Sequence, residues 1–469
     1  MIEPADVEVL VDDDPAVAPL EEPLSGRRWW WWLGGISLLG LMIRWAAVLG
    51  RTHRLPGGDG YYYYYAAKLL VAGKWFLNPF VYYGPVHGHV QTAEWPPLFV
   101  FVMAVPQALG LHSYVGARLW LGIVGCGAIV VVALAAREIG GPRVGRRIGL
   151  IAAFLLAIYP NIWMSTELGL SEALSPLLVA WVMLRIYRFW RAPSYRTAAW
   201  LGVAFGFSIL GRDEFAALFV LGFVPLALLV RSAPWRRRAG FVALAAVITV
   251  GILTPWLAYN ASRFDKVVFV RDGLGSTLAV SNCDQTFSGR FVGYWSYSCG
   301  LATPFDPKAD ESVQAAQMQA YAVHFLHAHL RQLPQVELDK LGRAFGFFRP
   351  AQQIWFDSVV EVRPYHWAMA GLAMYYGLLV LAVGGTVALR RRRIPSFPLW
   401  MVGVGVVLST TLSFGDTRYR TTFEVSLCIL SAVCLEWAAR AGRARVVAMR
   451  GAPAAPESEA IVVTAAELR

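Results

Sequence analysis

Apolar runs alternate along this chain with short, mostly basic connections, and the alternation sets both the number of helices and their direction. Runs at residues 29–50, 115–136, 148–159, 170–184, 198–211, 215–230, 241–258, 367–389, 399–412 and 423–438 read as about ten transmembrane helices. Every second connection carries the Lys and Arg: Arg27 and Arg28, Arg137 to Arg147, Arg185 to Arg196, Arg231 to Arg238, and Arg390 to Arg393. The positive-inside rule puts those connections and both termini in the cytoplasm and the remaining connections outside. One run breaks the alternation. A span over Pro96 to Leu111 would leave Arg137, Arg143, Arg146 and Arg147 outside, so it reads as an interfacial or re-entrant helix. It shares one long external loop, about 51–113, with an amphipathic helix over Tyr61 to Gly73.

The remaining polarity divides the chain. Residues 1–28 are acidic and Pro-rich without an apolar core, so they read as a disordered cytoplasmic tail and not as a signal peptide. A seven-span module follows over 29–258, an external subdomain with a helix around Glu311 to Leu330 over 259–366, three further spans over 367–440, and a basic tail over 441–469. Arg44, inside the first span, is expected to snorkel outward.

Composition agrees. With 57% hydrophobic and 16% charged residues and a mean hydropathy of +0.48, the chain is an all-α integral membrane protein, not a soluble one. The net charge of +11 would suit nucleic acid, but its carriers lie in the short inner connections, which excludes that partner.

On this topology Asp59, Glu94, Glu167, Glu172, Arg212, Asp213, Glu214, Asp416, Arg418 and Arg420 all fall on the outer face, from five separate connections. Asp59 stands among glycines where the chain leaves the membrane, a setting for a general base or for a plain helix start. Glu167 and Glu172 are five apart and are either pocket acids or first-turn acids of a helix. The triplet Arg212-Asp213-Glu214 is costly in so short a loop unless it has a task. Arg418 and Arg420 stand outside against the charge bias, and their planar forks suit a lipid-borne phosphate. Cys283 and Cys299 are the two external cysteines, and a disulfide between them would contribute roughly 3 kcal/mol in the chain-entropy model. No metal motif accompanies His324, His327 and His329, so no cofactor is expected, although a divalent metal is not excluded.

The motifs Gly58-Asp59-Gly60-Tyr61, Pro96-Pro97-Leu98, Ser171-Glu172, Arg212-Asp213-Glu214, Thr254-Pro255-Trp256 with Asn260, and Asp416-Thr417-Arg418-Tyr419-Arg420, in this order, resemble the GT-C membrane glycosyltransferases of family 39. Relatives there include polyprenyl-phosphate-mannose protein mannosyltransferases and lipid A aminoarabinose transferases. The resemblance spans about Trp29 to Glu436. It implies juxtamembrane helices in the first external loop, Asp59 as the base that activates the acceptor, and Glu172 with Arg212 to Glu214 lining the pocket. It also implies that Arg418 and Arg420 hold the lipid phosphate. Two departures stand out: Gly60 replaces the second acid of an Asp-Glu pair, whose task would fall to Glu94 or Glu167, and Thr421-Thr422 follow the closing arginine.

The expected activity is transfer of a monosaccharide from a polyprenyl-phosphate donor to an acceptor hydroxyl of a protein, glycan or lipid, on the outer face of the plasma membrane. The alternatives are a transporter or flippase of lipid-linked sugar and a non-catalytic polyprenyl-binding assembly subunit. No internal repeat supports a transporter.

Overall fold

The computed structural model describes residues 25–85 and 87–451; the tail stretches 1–24 and 452–469 lie outside the described residues. Among the described residues there are helices and turns but no strand, only an isolated bridge between Leu77 and Gln91.

Each of the ten apolar runs is helical. The elements are Gly26–Leu49, Tyr114–Ile158, Ser175–Arg191, Tyr195–Gly211, Phe215–Leu228, Trp235–Ala261, Tyr365–Arg391, Phe397–Thr411 and Thr421–Gly451. Tyr114–Ile158 supplies two of the ten, because it folds back on itself at Gly141 (φ 75°) and brings Gly149 against Ala133. By length and composition, six helices among the described residues suffice to cross a membrane; Phe215–Leu228 and Phe397–Thr411 are apolar but shorter. The chain is thus a membrane protein. In lipid, helices gain little from apolar burial and associate through close packing, so their crossings sit at small residues. Gly202 meets Ala245, and Gly385 meets the carbonyl of Leu430.

Arg44 corrects the expectation of snorkelling. It is buried between helices Gly26–Leu49 and Tyr114–Ile158, where its Nη1 donates to the carbonyls of Gly40 (3.0 Å) and Ala157 (3.5 Å). A Cβ at Gly125 would come within 2.5 Å of its Nε, so the missing side chain there makes the slot that holds the guanidinium.

One end of the bundle is pinned by the basic connections. The Trp29 indole donates to the Arg146 carbonyl (2.9 Å), Arg188 and Arg191 flank Glu138, and Arg392 and Arg440 share Glu436. The remaining polar clusters gather at the other end.

There the helix Gly58–Val71 is held by its own tyrosines. Tyr62 and Tyr63 pack on Trp95 and Phe99, Tyr64 on Tyr114, and Tyr61 and Tyr65 on Phe80 and Tyr83. The apolar run after Glu94 forms the helix Leu98–Ala108, whose 11 residues are far too short for a ~30 Å core. It packs on Gly58–Val71 and beside Gly211. The segment 259–366 forms short helices, with Glu311–Ala328 where a helix was expected, and Cys283 is bonded to Cys299.

Candidate active site

Asp59 lies in the first turn of Gly58–Val71, where the positive end of the helix favours an acid. The next residue explains the departure from an Asp-Glu pair. A Cβ at Gly60 would lie 2.9 Å from the Leu168 carbonyl and 3.0 Å from the Tyr114 hydroxyl, so no larger residue fits.

Asp59 meets Arg418 across 359 residues of sequence: Nη1 donates to Oδ2 at 2.6 Å, with the carboxylate 26% and the guanidinium 17% exposed. Arg418 sits on the short turn Thr417–Arg420, which Asp416 caps by accepting from the Arg418 amide (3.0 Å). On its far side lies Glu361, 3.4 Å from Nε. Glu361 also pairs with Arg363 at 2.7 Å. Burial, with Asp416 alongside, pushes the Glu361 carboxyl up to about 8 despite these two arginines. The turn carrying it is strained: Val362 has φ 58°, unfavourable for a β-branched residue. Arg54 pins it by donating to the carbonyls of Glu361 (3.0 Å) and Val362 (3.2 Å).

The other expected residues form three groups around this pair. Glu167 is nearly buried and takes two bonds from Arg54, at 3.0 and 3.2 Å, with Arg118 beneath it. Arg212 spans Glu172 (3.2 Å) and both oxygens of Glu214 (2.9 and 3.2 Å). Asp213 points the other way, to Arg271 Nε at 3.1 Å. Arg420 is turned into the bundle, where it pairs with Glu424 (2.7 Å), donates to the Ala344 carbonyl and lies over Tyr375. The structure therefore brings Arg418 to Asp59 and sets Arg420 apart from it.

Glu94 belongs to a different cluster. Its carboxylate and those of Asp272 and Glu311 offer oxygens within 4.8 Å of one another, a set that could hold a metal ion. Ser276 donates to Glu94 (2.6 Å), and Thr92 (2.7 Å) and the Ala93 amide (3.2 Å) donate to Glu311. Burial pushes Glu94 up to about 7 and raises Asp272, and burial with Asp272 and Glu94 alongside raises Glu311.

A small pocket lies between helices Phe215–Leu228 and Phe397–Thr411, lined by Phe215, Leu218, Val402 and Gly405 with Glu214 and Thr422. Beside it the turn Phe219–Phe223 is a π-helix, a distortion found often at functional sites.

Sequence reasoning missed Arg54, Arg271, Asp272, Glu311, Glu361 and Arg363. Glu361 and Arg363 did carry a signal, as charges directly ahead of the span Tyr365–Arg391.

No protein-family model matches this sequence, and no curated protein matches it. Solved structures do. The oligosaccharyltransferase of Archaeoglobus fulgidus tethered to an acceptor peptide superposes with a TM-score of 0.53 at 16% identity, covering 92% of this chain and 54% of that one. Its apo form gives 0.52 at 16% identity, with 92% and 55% covered. ArnT from Cupriavidus metallidurans bound to undecaprenyl phosphate is a looser match, 0.42 at 16% identity over 88% of this chain and 79% of that one. The chain spans about half the length of the oligosaccharyltransferase and shares its fold, the GT-C membrane glycosyltransferase fold.

Proposed function

We propose that this protein transfers a monosaccharide from a polyprenyl-phosphate donor to an acceptor hydroxyl, on the outer face of the plasma membrane. The observation that carries the reading is the Asp59–Arg418 pair, a carboxylate and a guanidinium in contact where the charged turns converge.

In this reading the donor's phosphate lies near the arginines. The acceptor hydroxyl gives its proton to Asp59, its oxygen attacks the sugar's anomeric carbon, and the bond from that carbon to the phosphate oxygen breaks. The polyprenyl phosphate leaves carrying the electron pair. Asp59 can act only when Arg418 has turned to another anion, and the departing phosphate is that anion, so one movement frees the base and stabilises the leaving group. Glu172, Arg212 and Glu214 line the approach, with Glu94 and Glu167 at its flanks. Arg420 supports the Thr417–Arg420 turn from inside the bundle. A divalent cation, if bound, would sit at Glu94, Asp272 and Glu311 and neutralise charge there; no step above passes through it.

Asp59→Asn tests this. It keeps the shape and a partner for Arg418 but cannot take a proton, so turnover by the purified protein should fall ~10²- to 10⁴-fold with the fold intact. Turnover at the wild-type rate removes Asp59 from the mechanism.

A further inference from the structure

The two ends of the Arg418 guanidinium have different surroundings. Nη1, at the tip, meets Asp59 at 2.6 Å. Nε, at the root beside the aliphatic stem, faces Glu361 at 3.4 Å and Asp416 at 3.9 Å. Asp416 is already engaged, since it caps the turn Thr417–Arg420 by accepting from the Arg418 amide (3.0 Å). Glu361 is therefore the acid that backs Arg418 on the side away from Asp59.

Glu361 is braced from three directions. Its second oxygen lies 2.7 Å from Arg363 Nε. Arg54 donates to the carbonyls of Glu361 and Val362 and is itself tied to both oxygens of Glu167. Val362 keeps φ at 58°, a conformation that is costly for a β-branched residue and persists only where neighbours enforce it. The turn bearing Glu361 is also joined to the turn bearing Arg418: Arg363 Nη1 donates to Thr417 Oγ1 (3.4 Å), and the Thr417 hydroxyl donates to Asp357 (2.6 Å). A plain surface ion pair needs none of this bracing.

The reaction proposed above requires the tip of Arg418 to leave Asp59 for the departing phosphate. A contact at the root permits that movement and guides it: Nε stays against Glu361 while Nη1 swings, so the guanidinium keeps its orientation. The oxygen facing Nε can accept whether the carboxyl is ionised or protonated. We infer that Glu361 is a positioning residue, the pivot on which Arg418 turns from Asp59 to the phosphate, and that it touches neither sugar nor phosphate itself. This rests on the transferase reading and adds to it a residue that works only through Arg418.

The test is a double-mutant cycle on kcat with the full-length protein in detergent. The probe is a polyprenyl phosphate bearing a labelled monosaccharide, with envelope extract as acceptor. Glu361→Ala should lower kcat roughly tenfold with the donor KM unchanged, and Glu361→Gln, whose amide oxygen can still accept from Nε, should recover part of that loss. In an Arg418→Lys background, where no Nε edge remains to pivot, the same two changes should cost about twofold or less. A residue that only stabilises the fold predicts equal fold-losses in both backgrounds, and that result overturns the inference. Wild-type kcat in Glu361→Ala overturns it too, as does a loss confined to the donor KM; in both cases the transferase reading stands, provided that Asp59→Asn abolishes transfer. If a thermal melt shows that Glu361→Ala does not fold, the cycle runs on Glu361→Gln, whose smaller loss should likewise vanish beside Arg418→Lys. If wild type transfers no label, or Asp59→Asn transfers it at the wild-type rate, the transferase reading falls and the pivot falls with it.

Discussion

Single charges at this site are set by what surrounds them, and Glu94 shows how. Its carboxyl is held up to about 7 against an ordinary 4.5, chiefly by burial. The folded protein therefore binds this proton more tightly than the unfolded chain does. Glu94 costs no stability below about pH 4.5, loses it as pH rises toward 7, and carries the full penalty above. Glu94→Gln should then melt at the wild-type temperature near pH 4.5 and higher than wild type at pH 8, read by thermal denaturation in detergent; parallel curves at both pH values contradict this. The residues readable in the sequence, Asp59, Glu172 and Arg212 to Glu214, are charges in short connections between apolar runs, where a charge is rare and so conspicuous. Arg271, Asp272 and Glu311 lie in the long polar segment, where charges are ordinary. Nothing local marks them until folding sets them beside Asp213 and Glu94. Arg44 failed for the converse reason: its slot depends on Gly125, some 80 residues away in sequence.

Short turns between the elements carry the charged residues of the candidate site. Thr417–Arg420 sends Arg418 toward Asp59 and Arg420 into the bundle, because successive residues of a tight turn point to different sides. Both arginines were legible as out-of-place charges, but the divergence was not, since it depends on Glu424 and Tyr375 receiving Arg420. The two arginines should behave differently when changed. Arg418→Lys should lower kcat by about tenfold or more with little change in undecaprenyl phosphate affinity, as expected of a contact made mainly in the transition state. Arg420→Ala should instead lower the melting temperature, because it leaves Glu424 buried without its cation. Steady-state kinetics beside a thermal melt separates the two, and a matched loss of kcat and stability in both variants contradicts the division. The strained turn at Val362 was not visible in sequence, because a left-handed valine has no signature of its own.

Across the whole molecule, each of the ten apolar runs is helical, and six helices among the described residues are long and apolar enough to cross a membrane. Setting Leu98–Ala108 apart from the spans rests on charge bias; that helix packs beside Gly211. Sidedness is a prediction of the same bias. Single cysteines at 59 and 418 should react with a membrane-impermeant thiol reagent in intact cells and one at 391 should not; the reverse pattern inverts the topology. The gathering of Asp59, Glu172, Arg212 and Arg418 at one end was foreseeable from the alternation of connections, whereas the contribution of the segment 259–366 to that end was not. The central claim is that this site breaks the bond between sugar and phosphate instead of carrying the intact lipid across. Proteoliposomes holding the full-length protein and a polyprenyl phosphate bearing a labelled monosaccharide, supplied with envelope extract as acceptor, test it most directly. The account predicts label on the acceptor, an equal release of polyprenyl phosphate, and loss of both with Asp59→Asn. Label that changes leaflet while still attached to polyprenyl phosphate, equally in wild type and variant, would contradict it.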